Sequence, residues 1–153
     1  MKKISILLSV MLLAFAVSCS SPNKPEDNTE TKGIALSERA GKYTGTISNL
    51  GNMSLEMVLD NKGSLTSLKV NGDESLDPNN PIKISDDPNS QETVFDPFNA
   101  TIKLGGNPAS AQVQIRFQSG TDKTAGALAD IDIFPEGKFE PSLKDISLTY
   151  QAN

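Results

Sequence analysis

A strict two-residue alternation of apolar and polar side chains constrains the fold of this chain more than any other feature. It is clearest where four apolar residues alternate with glutamine and arginine: Ala111, Val113, Ile115 and Phe117. Successive side chains of a strand point to opposite faces of a sheet, so this stretch predicts a strand with one buried and one wet face. A helix would need apolar residues three and four apart, and no useful stripe of that kind follows Lys42.

The same period recurs in shorter runs along the rest of the chain. Its apolar members are Met53, Leu55, Met57 and Leu59, then Ile102 and Leu104, Ile131 and Ile133, and Ile146, Leu148 and Tyr150. Turn sequences at residues 60–63, 105–108 and 135–138 separate the runs, and the first is typical of a tight hairpin. We therefore predict an all-β domain, an antiparallel meander that forms a small barrel or a sandwich. The alternation does not distinguish these two architectures.

Two polar, proline-containing segments, residues 71–81 and 85–91, are predicted to be surface loops. The first carries five oxygen-bearing side chains: Asp73, Glu74, Asp77, Asn79 and Asn80. Calcium takes six to eight oxygen ligands from loops of this kind, but the acidic positions and the required glycine do not fall in the register of an EF-hand. We predict no metal site, and calcium binding by these loops stays an open question.

The start of the chain carries a separate pattern. Lys2 and Lys3 precede an apolar run over residues 4–17, which ends at Ser18 and at Cys19, the only cysteine. The run is too short to cross a bilayer as a helix, which takes ~20 apolar residues, and its charged front and small-residue end are typical of a signal peptide. Residues 1–18 are predicted to be removed and to take no part in the fold.

Residues 16–19, Ala-Val-Ser-Cys, resemble the lipobox of bacterial lipoproteins, although alanine stands where leucine is usual. The resemblance implies that signal peptidase II cuts before Cys19 after its thiol has received a diacylglycerol. Acyl chains such as palmitate then anchor the mature protein, because each buried methylene contributes ~0.8 kcal/mol. The resemblance also implies the outer membrane, because Ser20 stands where an aspartate would suggest retention in the inner membrane, and periplasmic and surface exposure both stay open. The alternative is an ordinary signal peptide that leaves a free thiol.

Beyond the cysteine, the chain divides into a tether and one domain. Residues 20–32 contain no apolar side chain and two prolines, so residues 19–33 are predicted to be a lipidated cysteine followed by a disordered tether. Residues 34–153 have the length of a single β domain. If Cys19 carries lipid, no disulfide can form, and packing with backbone hydrogen bonds must stabilise this domain.

The composition argues against several classes of function. The formal charge is −5, and it becomes more negative once Lys2 and Lys3 are removed, so the surface repels phosphate backbones and no nucleic acid partner is expected. The chain has no histidine and no other cysteine, which removes the usual general base, thiol nucleophile and zinc or haem ligands. Asp130 and Asp132 share a strand face, which we interpret as the wet side of an amphipathic strand. We predict a non-enzymatic protein without catalytic residues or cofactor.

Residues 36–45, Leu-Ser-Glu-Arg-Ala-Gly-Lys-Tyr-Thr-Gly, look like the entry to lipocalin-type barrels, where a short helical turn leads into a Gly-x-Trp motif. Here Gly41-Lys42-Tyr43 carries tyrosine in place of tryptophan, and no later segment matches the family's other motifs. The resemblance implies that Tyr43 plugs the closed end of a barrel, and that Gly41 permits close backbone approach. In such a barrel, Tyr43 and Tyr150 would lie on the first and last strands, which pair. The alternative is a buried tyrosine on the first strand of another all-β fold.

Two binding functions follow from these observations. The first is a lipid-anchored cell-envelope protein that presents loops to a partner protein, and the alternative is a lipocalin-like carrier of a small apolar ligand. A carrier needs an apolar void, whereas a presenting module can fill its interior. We favour a filled interior, with Phe95 and Phe98 folded over one end as a plug. The sequence identifies no ligand-binding residues.

Overall fold

Nine strands of one antiparallel sheet make up most of the described chain. The computed structural model describes residues 33–134 and 142–152, so the predicted signal peptide, Cys19, the tether and the turn at residues 135–138 lie outside the described residues. The strands are β1 Gly41–Ile47, β2 Met53–Leu59, β3 Ser64–Val70, β4 Asp73–Glu74, β5 Ile82–Lys83, β6 Phe98–Leu104, β7 Asn107–Phe117, β8 Ala127–Phe134 and β9 Leu143–Gln151. Short 3-10 helices span Leu36–Arg39, Ser48–Leu50 and Lys123–Ala125. None of the helices in residues 33–134 and 142–152 is long and apolar enough to cross a membrane.

The strands follow one another in an up-and-down order around a sheet that is nearly closed into a barrel. Their spatial order is β4-β3-β2-β1-β9-β8-β7-β6, with β5 paired to β3. The two sheet edges meet where the N–H of Thr101 on β6 donates to the carbonyl of Ser75, just after β4, at 3.1 Å. Lys103 Nζ also lies 3.2 Å from Asp73 Oδ1 across this junction. The all-β prediction is confirmed, and the sheet is nearly closed into a barrel.

The first and last long strands, β1 and β9, pair with each other in the middle of the strand order. Tyr43 on β1 stands directly opposite Tyr150 on β9, and their ring centroids are 5.5 Å apart. Two glycines on β1 allow this close pairing: a Cβ on Gly41 would lie 2.4 Å from the Tyr150 ring, and one on Gly45 would lie 2.2 Å from the Ser147 carbonyl oxygen. The predicted pairing of the strands that carry the two tyrosines is confirmed.

Two of the three predicted turns lie within the described residues; both are right in position, and the second is wrong in extent. Residues 60–63 form the β2–β3 hairpin, in which the N–H of Asp60 donates to Ser64 O at 2.9 Å and Gly63 has a φ of 78°. Gly105 and Gly106 form the β6–β7 turn with positive φ, but Asn107 and Pro108 already belong to β7. The segment 71–81, predicted to be a loop, contains the two-residue strand β4. Such short pairing has no apolar alternation that a sequence could reveal.

The barrel interior is filled by the apolar faces of the long strands. On β7 the predicted inward residues are buried, with Val113 at 0%, Ile115 at 2% and Phe117 at 3% exposure, whereas Gln112 is exposed. Inward residues with no exposed surface on the other strands are Tyr43, Leu55, Met57, Leu65, Leu68, Val70, Ala127, Ala129 and Ile131. These side chains have no surface open to water, so they pack against one another as a core.

Candidate functional site

A buried arginine lies at the end of the barrel where β1 begins. The 3-10 helix Leu36–Arg39 buries Leu36 completely and Arg39 to 1% exposure. The guanidinium carbon of Arg39 lies 4.9 Å from the centroid of the Phe117 ring, and Nη1 donates to the Gln118 carbonyl at 3.3 Å. Tyr43 Oη donates to the Arg39 carbonyl at 2.7 Å. Side chain and backbone of Arg39 are thus both held by neighbours.

The charge of Arg39 is only partly compensated. Its Nε and Nη2 are buried without a hydrogen-bond partner, and no ion pair to Arg39 occurs among the described residues. Burial lowers the pKa of Arg39, and the neighbouring Tyr43 acts in the opposite direction. Burial raises the pKa of Tyr43 to about 12, with Arg39 acting to lower it and Tyr150 to raise it further. An arginine remains protonated at any working pH, so the site holds a cation.

A cavity of about 450 Å³ lies beside Arg39. A cleft at the junction of the sheet edges is larger, at about 520 Å³, but the Arg39 cavity has the more unusual chemistry because a buried arginine lines it. Besides Arg39, it is lined by Gly33, Gln91, Thr93, Ser119, Gly120 and Thr121. Lys123 adds a second cation at this barrel end, because its Nζ donates to the Ala40 carbonyl at 3.1 Å. Sequence reasoning missed Arg39, since an arginine before a strand carries no periodic signal and its burial depends on the distant Phe117.

Two further clefts lie at the junction between the sheet edges. The 520 Å³ cleft is lined by Asp77 and Asn80 from the segment after β4 and by Asn99 and Thr101 from β6. A smaller apolar cleft of about 190 Å³ lies next to it and is lined mainly by isoleucine and phenylalanine. Both clefts reach buried residues of the barrel, since Ala111 lines the larger one and Ile115 lines the smaller one.

The predicted phenylalanine plug is present for one of its two residues. Phe95 is 6% exposed and packs edge-on against Phe117, with ring centroids 6.1 Å apart. Val94 beside it bridges to Arg116, which extends the cover over the last part of β7. Phe98 instead begins β6 and lies half-buried beside the smaller cleft. Phe95 thus packs against the ring that contacts Arg39, whereas Phe98 lies on β6.

The oxygen-rich loop uses its carboxylates to hold its own backbone. Glu74 accepts hydrogen bonds from the N–H groups of Leu68, Ser75 and Leu76, and Asp77 accepts one from Asn79 N at 2.9 Å. Burial acts to raise the pKa of Glu74, but hydrogen bonds from Ser67 and the backbone outweigh it and lower the pKa overall. Within residues 33–134 and 142–152, no group of three acidic side chains is arranged to hold a metal ion.

Asp130 and Asp132 lie on the outer face of β8, as the alternation predicts. Asp130 Oδ1 accepts from Arg116 Nη2 at 3.1 Å and from the N–H of Asp145 at 2.8 Å. Asp145 has a φ of 56° where the β8–β9 register shifts, so Asp130 stabilises this bulge. Asp132 bonds to the Ser142 hydroxyl and pairs with Lys144 at 3.2 Å. Both carboxylates thus have structural partners.

Comparisons with known proteins add nothing to this geometry. No family model matches the chain, no curated protein is significantly similar to it, and no solved structure matches its fold significantly.

Proposed function

We propose that this chain is a lipid-anchored cell-envelope protein that acts without catalysis by presenting its surface to a partner protein. The observation that carries the proposal is the filled interior, where inward residues such as Met57, Val113 and Ile131 are 0% exposed. A carrier holds its ligand by removing ligand surface from water in an apolar void. Since these residues leave no such void among themselves, we place the main binding surface on the outside of the barrel.

The loops that would meet a partner are held in shape by their own hydrogen bonds. Asp87 Oδ1 accepts from Asn89 N at 2.9 Å, and Ser85 Oγ accepts from Asp87 N at 3.2 Å. Asp77 holds Asn79 in the same way beside the 520 Å³ cleft. Loops that are already ordered lose less conformational entropy on binding, which favours affinity. These segments therefore suit recognition of a protein surface.

The loop interface is tested with a photo-crosslinking side chain placed at single positions in the native host. We expect Asn79 and Asn89, which lie in the ordered loops, to give one discrete adduct each. Ser54, an exposed residue on the outer face of β2, is the matched control and should give none. Adducts of equal yield from Ser54 would contradict the assignment of the loops as the interface.

The anchor is supported by the sequence at Cys19 and is tested there. Replacing Cys19 by Ser removes the thiol that accepts diacylglycerol, so the variant should stay an uncleaved precursor or become soluble. Wild type and the matched Ser21→Ala variant should partition with detergent, because two acyl chains bind membranes stably. Phase partition of the three proteins measures this directly, and a Cys19→Ser variant that partitions like wild type would exclude the lipobox interpretation.

A carrier of a small apolar ligand is the alternative, and the 190 Å³ cleft favours it. The cleft is lined by Ile82, Ile84, Phe95, Phe98 and Ile115, but its volume is below the roughly 300 Å³ at which ligand pockets begin. Titration with a fluorescent fatty-acid analogue separates the two functions. We expect no saturable binding, and saturation at one probe per chain would reverse the order of the two proposals.

A further inference from the structure

Arg39 is a buried cation with no paired anion among the described residues. Arg39 is 1% exposed, forms one hydrogen bond through Nη1, and leaves Nε and Nη2 without a partner in the described part of the chain. A buried charge is costly unless it is paired and hydrogen-bonded, because the protein interior solvates it less well than water does. The described residues supply no carboxylate for Arg39, so its pairing is incomplete.

The neighbours of Arg39 fix the guanidinium without neutralising it. The Phe117 ring lies under its carbon at 4.9 Å, and Phe117 in turn contacts Tyr43, with ring centroids 5.9 Å apart. A ring face attracts a cation but brings no negative charge. The Tyr43 hydroxyl donates to the Arg39 carbonyl, so the backbone is fixed as well. The result is a guanidinium held in place in advance of any ligand.

The cavity beside Arg39 has the chemistry of an oxyanion site. Arg39 is the only charged residue among its described lining, and the hydroxyl groups of Thr93, Ser119 and Thr121 can donate hydrogen bonds to an anion. Its volume of about 450 Å³ falls in the range of roughly 300–1,000 Å³ typical of small-molecule pockets. The planar fork of a guanidinium matches the two oxygens of a carboxylate.

Access to the unpaired nitrogens requires a local movement at the cavity wall. Nε and Nη2 are covered, but Gln91 and Ser119 on the same wall are exposed residues. Exposed side chains change rotamer within nanoseconds, so they can turn aside for a ligand. Phe117 and Tyr43 are buried and keep the guanidinium in position during this movement.

We propose that the Arg39 cavity binds the carboxylate group of a small molecule, with the guanidinium as the charged contact and the Ser119 and Thr121 hydroxyls as neutral donors. This site goes beyond the loop interface and does not depend on the lipid anchor. The ligand is a small anion, because the acidic surface of the chain, with a formal charge of −5, repels large polyanions.

Acetate and succinate are titrated into the full chain in detergent, with chloride at matched ionic strength as the reference. Backbone amide shifts of Ser119, Gly120 and Thr121 are followed by NMR. We expect saturable shifts with the carboxylates, weakened about tenfold or more in Arg39→Lys, which keeps the charge but loses the fork. Arg116→Lys, an arginine already paired with Asp130 and Asp145, is the matched control and should bind like wild type.

Two further variants test the site if Arg39→Lys does not fold or if the chain itself supplies the anion. If Arg39→Lys does not fold, the Ser119→Ala/Thr121→Val double variant, which changes two exposed side chains, should show the weakening instead. Glu30→Gln tests whether an acidic residue of the chain itself fills the cavity, since Glu30 stands three residues before Gly33 in the sequence. Binding only in Glu30→Gln, equal shifts with chloride, or no shift in any protein would each overturn the proposal.

Discussion

At the scale of single residues, Tyr43 joins the barrel core to the buried arginine. Its ring contacts Phe117 and Tyr150, and its hydroxyl donates to the Arg39 carbonyl at 2.7 Å. The phenol has no exposed surface, so ionising it would place a negative charge in the core. The side chain is therefore a stabilising contact only in its protonated form.

The ionisation of Tyr43 predicts a loss of stability at high pH. The unfolded chain releases this proton near the ordinary value of about 10, whereas burial raises the pKa of Tyr43 in the folded state to about 12. The folded state thus holds one more proton between these values, and the free energy of unfolding falls as pH rises through this window. Denaturant unfolding from pH 9 to 12 measures the fall. Tyr43→Phe should be less stable at neutral pH but should fall less steeply, and equal slopes would contradict this account.

At the scale of elements, the sequence predicts the long strands well because each has one solvent-exposed face and one buried face. β7 is the best example, and its inward residues are those that the alternation indicates. β4 and β5 were not predictable, because two-residue strands are positioned by pairing with β3 rather than by a pattern of their own. The Arg39 site was missed for a related reason, since residues far apart in the chain create it.

Substitutions on β7 test the inward and outward assignment. Ile115→Ala should lower the free energy of unfolding by ~2 to 5 kcal/mol, because it empties a packed position. Gln112→Ala on the exposed face should change it by ~0.5 kcal/mol or less. Gln114→Ala should fall between them at about 1 kcal/mol, since Gln114 Nε2 donates to the Phe95 carbonyl at 3.0 Å. Urea unfolding compares the three, and similar losses at positions 115 and 112 would mean that the face is misassigned.

At the scale of the whole molecule, the barrel is weakest where its two edges meet. Seven strands pair along their length, but the junction between β6 and the residues after β4 has one backbone hydrogen bond, from Thr101 N–H to Ser75 O. Glu74 holds the segment on the β3 side, through Leu68, Ser75 and Leu76 N–H groups. The Glu74 carboxylate thus supports the closure of the sheet, together with the backbone bond from Ser75 N–H to Leu68 O and the Asp73–Lys103 pair.

Removing the charge of Glu74 should therefore loosen the closure without unfolding the barrel. Glu74→Gln mimics the protonated acid, and at pH 7 it should increase hydrogen exchange of the Thr101 amide while Val113 on β7 stays protected. The cost in overall stability should be roughly 1 kcal/mol, because the site is exposed and weaker bonds remain.

Since hydrogen bonds lower the pKa of Glu74 in the folded state, wild type should lose the same contribution as pH falls below the ordinary value of about 4.3 and through the folded pKa. Asp77→Asn, which alters a carboxylate bonded to Asn79 N, is the control and should leave Thr101 exchange unchanged. Unchanged Thr101 exchange in Glu74→Gln would mean that the sheet edges are held together by the Asp73–Lys103 pair and packing instead.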